Sequence, residues 1–278
     1  MLSHNLNLKI FLEEVASFSL IGIISIFSVA KIHESRLLTN AIVAPVSWWQ
    51  FLLAFGIGTA VILGLIRIMH GGLFLRIFFL FALFSGTLIT LSIFLSNLQS
   101  LIFSLFLVLL YSFYPYVWLH NLVLILTLPG IAATLGSSFS PNTTIVLLIF
   151  MSIYDYVAVY RTKHMVNMAK AMIAGRAIFA MIYPEHLHGF KSHIKEAHPG
   201  EGFMMLGTGD FVFPLVMATS AYAVSPAAAW TVFIASLFGL LLMHLIFMSQ
   251  KVRRPMPALP PLAACAILGF FIAIALKF

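Results

Sequence analysis

Only two aspartates occur among the 278 residues of this chain, Asp155 and Asp210, and both lie within apolar stretches, Ile149–Val159 and Phe203–Val216. An ionisable side chain at membrane depth costs roughly 2.5–3.5 kcal/mol on insertion scales, so such a residue is read first as functional. The bland alternative is a protonated Asp that ties two helices together. Asp155 stands six positions before Arg161, and Asp210 nine after Glu201. At a rise of about 1.5 Å per residue, both carboxyls fall about 9–14 Å from the same polar boundary. Two consecutive antiparallel spans would then bring them to one level. Carboxyls held close in a poorly polar site cannot both ionise, so the pair shares a proton. One member can deprotonate a water while the other protonates a carbonyl oxygen, which is general acid–base hydrolysis of an amide. That chemistry requires no metal, no cofactor and no covalent enzyme intermediate.

The neighbours of the two aspartates suit this role. Gly207 and Gly209, on either side of Thr208, remove side chains beside Asp210 and let backbone approach closely. The same small residues also serve ordinary helix packing. Tyr154 is placed either to donate a hydrogen bond near Asp155 or to fill space. Pro255, Pro257, Pro260 and Pro261 disfavour a regular helix start, so Pro257-Ala258-Leu259 is expected to be extended. Phe203-Met204-Met205-Leu206 is either a short strand leading to Asp210 or the first turn of a helix, because so short an apolar run does not separate the two. As a strand it could pair with an unwound peptide, with Pro257-Ala258-Leu259 walling the opposite side.

These residues need elements to hold them, and composition says what kind. Hydrophobic residues make up 62% of the chain and charged residues 8%, too few charges to solvate a globule in water. The expected fold is an all-α integral membrane protein of about nine transmembrane helices. The spans run approximately Phe11–Ala30, Trp48–Ile68, Leu73–Leu95, Leu101–Trp118, Leu119–Gly136, Thr143–Tyr160, Phe203–Ala223, Ala227–Met248 and Met256–Leu276. Pro115 and Trp118-Leu119-His120-Asn121 form a very short join between the fourth and fifth. The chain divides into N-terminal spans over residues 1–142 and a unit of spans six to nine over 143–278, which carries a polar loop at 161–202. Within that loop, Met165, Met168, Ala169 and Met172 have helical spacing and predict an interfacial amphipathic helix.

With the N-terminus inside, the cytoplasmic segments hold Lys9, Arg67, Arg76, Arg161, Lys163, Lys170, Arg176, Lys191, Lys195, Lys251, Arg253 and Arg254. The outer side holds Lys31, Arg36 and Lys277. Twelve against three is a strong positive-inside bias, so the N-terminus is cytoplasmic and the C-terminus outside. The net charge of +7 therefore reports orientation, and no nucleic-acid partner is expected. Ser28-Val29-Ala30 resembles a cleavage site, which would make the first span a signal peptide. Glu13-Glu14 stands where such a segment carries positive charge, and these two glutamates are expected at the interface.

Tyr154-Asp155, Gly207-Thr208-Gly209-Asp210 and Pro257-Ala258-Leu259, in this order, resemble the presenilin and signal peptide peptidase family of intramembrane aspartyl proteases. The string from Tyr154 to Met165 is similar to its archaeal members. The motifs cover about the last 130 residues; the earlier spans match in number and hydrophobicity. The resemblance implies that Asp155 and Asp210 are catalytic and that Pro257-Ala258-Leu259 shapes the site. It also implies that transmembrane segments of membrane proteins, or signal peptides, are the substrate, in the cytoplasmic membrane of an archaeon. Thr208 stands where presenilins usually have Leu, which bears on cleavage-site preference. The loop has no apolar self-cleavage segment, so neither self-activation nor obligatory accessory subunits are expected.

Other signals carry less. His186, His188, His193 and His198 cluster near Glu185 and Glu196, but they are read as solvated residues of a flexible loop. Asn142-Thr143-Thr144 fits a glycosylation sequon but abuts a span. Cys265 is alone and cannot form an internal disulfide. The rival from another class is a proton- or cation-coupled transporter using the aspartates as a relay. A prepilin-peptidase-like protease shares Gly-x-Gly-Asp but lacks the two partner motifs.

Overall fold

The computed structural model describes residues 2–39, 47–68, 72–160, 175, 177–198, 200, 202–250 and 256–277. Among these are nine α-helices: α1 Leu2–Thr39, α2 Trp48–Ile68, α3 Gly72–Phe94, α4 Asn97–Phe113, α5 Val117–Ser138, α6 Pro141–Tyr160, α7 Thr208–Ala221, α8 Pro226–Ser249 and α9 Leu259–Ala275. Five contain stretches long and apolar enough to cross a membrane: Leu8–Ser35, Leu73–Phe94, Val117–Ser138, Pro141–Tyr160 and Pro226–Ser249. The amphipathic segment expected at Met165–Met172 lies outside the described residues.

Helix starts follow local chemistry. Ser140 precedes Pro141, and its hydroxyl accepts from the Thr143 N–H at 3.2 Å. Ser225 precedes Pro226 and accepts from the Ala228 N–H at 2.9 Å. Each serine oxygen satisfies one orphan donor of a helix start, and each proline stands where no donor is needed.

Helix α5 is the axis of the bundle and packs against α1, α3 and α7. Small residues let these helices touch. The Gly130 N–H donates to Thr90 Oγ1 at 2.8 Å, and a Cβ on Gly130 would stand 2.6 Å from the Thr90 backbone nitrogen. Such close approach replaces the hydrophobic drive that lipid does not supply. Gly239 plays the same part between α8 and α9, where a Cβ would meet the Leu262 Cα at 2.9 Å.

Several expectations change. Pro115 ends α4, and the fourth join is Tyr114–Tyr116. Trp118, Leu119, His120 and Asn121 belong to α5, where His120 and Asn121 are buried. They stay in the helix because both have partners outside it, described below. Glu14 is not interfacial: it is fully buried (0% exposed) and its carboxylate meets His244 Nδ1 at 3.0 Å. Ser28-Val29-Ala30 is mid-helix, with Ser28 and Val29 buried in the bundle.

Among the described residues the fold is helical but for one two-stranded sheet and short 3-10 turns. Strand β1, Ala180–Pro184, pairs antiparallel with β2, Phe203–Gly207, so that Ala180 faces Gly207, Ile182 faces Met205 and Pro184 faces Phe203. The seventh span therefore begins as a strand at Phe203 and turns helical only at Thr208, shortening α7 to 14 residues. Two 3-10 turns, Leu187–Lys191 and Ile194–Glu196, link the strands. They are tied to the α4–α5 join, since the Val117 N–H donates to Ser192 O and the Ile194 N–H to Pro115 O. Ile182, Ile194 and Ala197 are fully buried. The part of the loop from Ala177 onward is thus folded, because its apolar residues have a core to join. His186, His188 and His198 remain on its exposed side.

Candidate active site

Asp210 stands third in α7, after Gly207 as N-cap, Thr208 and Gly209. A carboxylate at the third helical position can turn back to the N-cap backbone, half of a capping box. The Asp210 carboxyl does this, with the Gly207 backbone as its hydrogen-bond partner. Gly207 has φ −60° and ψ 143°, which any residue adopts, so its lack of a side chain answers to space. A Cβ there would lie 3.1 Å from Asp210 Oδ2. Gly209 is under no such pressure, as its Cβ would meet the Phe213 ring at an ordinary 3.5 Å. Thr208 fixes the turn: its N–H and its Oγ1 both donate to Phe179 O, at 3.1 and 3.3 Å.

Asp155 lies in the last turns of α6 and reaches the start of α9. The Leu259 N–H donates to Asp155 Oδ2 at 3.2 Å, and the Ala258 backbone also hydrogen-bonds this carboxyl. Local chemistry explains why α9 offers these donors. Leu259 opens the helix, and Pro260 and Pro261 follow in the first turn. The prolines were expected to spoil this start; they support it, because first-turn donors have no intrahelical partner and proline has no donor to strand. The extended Pro257-Ala258-Leu259 expected here is not found as such: Ala258 is the N-cap with φ −88° and ψ −29°, and Leu259 is helical.

The two carboxyls share one site. The Asp155 carboxylate is close enough to act electrostatically on Asp210, and α9 packs against both α6 and α7. Pro257-Ala258-Leu259 is buried beside them. Of the strand residues, Leu206 is buried, and Phe203, Met204 and Met205 are partly covered and packed on the core. Tyr154 goes elsewhere: its side chain is 52% exposed, with its ring edge-on to Phe55 at 6.5 Å.

Sequence reasoning passed over the partner strand of β2. Residues Ile178–Tyr183 form an unbroken apolar run rich in aromatic and β-branched side chains, ended by Pro184, a strand signal within a segment read as loop. It also placed His120 and Asn121 in a join, because their only flag is polarity within an apolar stretch.

The chain matches the family described as signal-peptide peptidase, presenilin aspartyl protease, over residues 50–277. It is similar to solved structures of a presenilin family intramembrane aspartate protease. One, in space group C222, aligns with a TM-score of 0.68 and 25% identity over 96% of this chain and 99% of that chain. Another, in space group P2, gives a TM-score of 0.66 and 27% identity over 94% and 96%. None of the curated proteins compared with the chain matches it.

Proposed function

The chain belongs to the signal-peptide peptidase and presenilin aspartyl protease family and is a multi-pass intramembrane aspartic endopeptidase, and we propose that Asp155 and Asp210 are its catalytic pair. The observation that carries this reading is the Leu259 N–H on Asp155 Oδ2 at 3.2 Å. It joins the Tyr-Asp and Pro-Ala-Leu segments at one place, with the Gly-x-Gly-Asp turn beside them. Three stretches far apart in sequence converge on two carboxyls, and nothing in simple helix packing asks for that.

In the proposed reaction one carboxylate takes a proton from water as the water attacks the scissile carbonyl carbon. The other, protonated, carboxyl gives its proton to the carbonyl oxygen. The amine then takes the proton now on the first carboxyl as the C–N bond breaks, the diol hydroxyl gives its proton to the other carboxylate, and the pair is again singly protonated. The Leu259 and Ala258 backbone groups hold Asp155 in place throughout, and the Gly207 backbone does the same for Asp210.

The substrate is a transmembrane segment of a membrane protein, and its helix hides its carbonyls in hydrogen bonds, so it must be unwound locally. We assign its capture to β2. Ile182 uses its N–H and C=O on the far side of β1, so the facing pair Ile182–Met205 is a non-hydrogen-bonded one. Met205 therefore turns its own N–H and C=O to the open edge of β2, five residues before Asp210. An extended peptide adds there as a third strand and meets the carboxyls. The similarity of Tyr154–Met165 to archaeal members supports an archaeal cytoplasmic membrane as the setting, and the chain is proposed to act without obligatory subunits.

The test is reconstitution of the purified protein in vesicles with a model transmembrane peptide, with fragments read by mass spectrometry. Asp155→Asn and Asp210→Asn should each abolish cleavage while the protein stays folded, and a transition-state mimic of aspartyl proteolysis should block the wild type. Near-normal turnover by either variant would show that the assignment is wrong.

A further inference from the structure

The outward edge of β1 is closed by side chains rather than by another strand. Antiparallel pairing turns the polar groups of alternate residues outward, here at Ala180, Ile182 and Pro184. The carbonyl of each meets a side chain from a helix. Asn121 Nδ2 donates to Ile182 O at 2.7 Å, and the Ile182 N–H donates to Asn121 Oδ1 at 3.0 Å. This amide reproduces both bonds that a neighbouring strand would supply. His120 Nε2 meets Ala180 O at 2.9 Å. A carbonyl only accepts, so Nε2 carries the hydrogen, which leaves Nδ1 to accept from the Tyr111 hydroxyl at 3.1 Å. Lys9 Nζ donates to Pro184 O and Glu185 O, each at 3.2 Å. Pro184 has no N–H, so its outward face asks for nothing more.

We propose that Lys9, His120 and Asn121 are positioning residues that clamp β1 to α1 and α5, so that β2 presents one ordered, open edge to the substrate. The inference deepens the strand-capture reading above and rests on it. A two-stranded ribbon alone is marginally stable. If β2 had to order itself as the substrate arrived, the cost would be taken from binding. The clamp meets that cost during folding, and it does so on the side of the ribbon away from the site. Tyr183 adds a further tie, through the mutual hydrogen bond of its hydroxyl with Ser17 on α1. The residues touch neither substrate nor carboxyls, so their signature falls on binding. Loss of the clamp should raise KM and leave kcat nearly alone.

The experiment uses the whole protein in vesicles, with a cleavable transmembrane peptide for kinetics and its reduced-amide analogue for binding. Asn121→Leu removes both bonds to Ile182 and should raise KM about tenfold, with kcat held within about twofold. Lys9→Met, at a partly exposed position, should raise KM about threefold by loss of the Pro184 contact, and it serves if the buried variant does not fold. Site-resolved hydrogen exchange on the wild type separates the two layers of the argument. The Ile182 amide should exchange slowly with or without peptide, whereas the Met205 amide should slow only when the reduced-amide peptide is bound. If that peptide leaves Met205 exchange unchanged, strand capture fails and the clamp proposal falls with it. If Met205 is protected but the folded variants keep the wild-type KM, or lose kcat at constant KM, the clamp is overturned while strand capture stands.

Discussion

Replacing Gly207 by alanine tests how closely the Asp210 carboxyl is held. The backbone at Gly207 lies at φ −60° and ψ 143°, within reach of alanine without strain. The substitution therefore adds one methyl and little else. That methyl would stand 3.1 Å from Asp210 Oδ2, closer than ordinary carbon–oxygen contact, so the carboxyl must retreat by about 0.3 Å or loosen its bond to the Gly207 backbone. A misplacement of about 1 Å at a reacting group costs about a hundredfold in rate, and on a logarithmic scale about 0.3 Å costs about fourfold. Weakening of the Gly207 bond brings the expected fall in kcat to about four- to tenfold.

Gly209→Ala is the matched control, since its methyl would meet the Phe213 ring at 3.5 Å and alanine is the better helix former. It should turn over within about twofold of the wild type. The assay is single-turnover cleavage of a transmembrane peptide in vesicles, which isolates the chemical step, with circular dichroism to establish folding. If Gly207→Ala cleaves at the wild-type rate while Gly209→Ala is crippled, contact with Asp210 is not what glycine provides.

Three further outcomes follow from the same geometry. With chemistry rate-limiting, cleavage should rise and then fall between pH 4 and 9, because acid protonates both carboxyls and alkali strips the shared proton; a flat single-turnover profile would remove the shared proton from the mechanism. Met205→Pro deletes an outward donor of β2 and should raise the substrate KM at least tenfold, with peptides carrying Gly or Pro near the scissile bond cut faster than helix-stabilised ones; equal rates for the two peptide types would count against unwinding on a strand. Glu14→Leu strands the buried His244 and should cost about 1–3 kcal/mol in denaturant titration, a loss largely recovered in the double variant with His244→Leu; full additivity of the two losses would show that the pair is not coupled.

How much of this was legible in the sequence depends on where each residue finds its partner. Asp155 and Asp210 stood out because an aspartate in an apolar run is costly wherever it ends up, and helical rise alone put both at one depth. The start of α9 was half legible. Its prolines announced irregular backbone, but whether they oppose or suit a first turn depends on donors that sequence does not display. Phe203–Leu206 was ambiguous because strand and helix differ little over four apolar residues, and only the pairing with Ala180–Pro184 decides it. His120, Asn121 and Glu14 were assigned to joins and interfaces on polarity alone. Their partners are Ala180, Ile182 and His244, 60, 61 and 230 positions away, and no local pattern points to contacts so distant.

The site can be understood as two helix starts placed where a membrane would not ordinarily permit them. Helix α7 has 14 residues, a length of about 21 Å against a hydrocarbon core of about 30 Å. Helix α9 has 17, about 25 Å. A start set below the surface would leave unpaired N–H groups that hydrocarbon cannot satisfy. At each start an aspartate carboxyl answers the exposed donors: Asp210 turns back to Gly207, and Asp155 crosses from α6 to Leu259. The depth missing from α7 is made up by β2, whose partner β1 has its outer edge satisfied by Asn121, His120 and Lys9. On β2, Met205 turns both its N–H and its C=O outward, and neither meets a partner among the described residues. A transmembrane substrate that unwinds has the same deficiency, groups that need partners at membrane depth. Pairing the two deficiencies removes both, and it can happen only for a segment extended beside the carboxyls. Selectivity for unwound segments would then arise from backbone hydrogen bonding, with side chains left to choose the position of the cut.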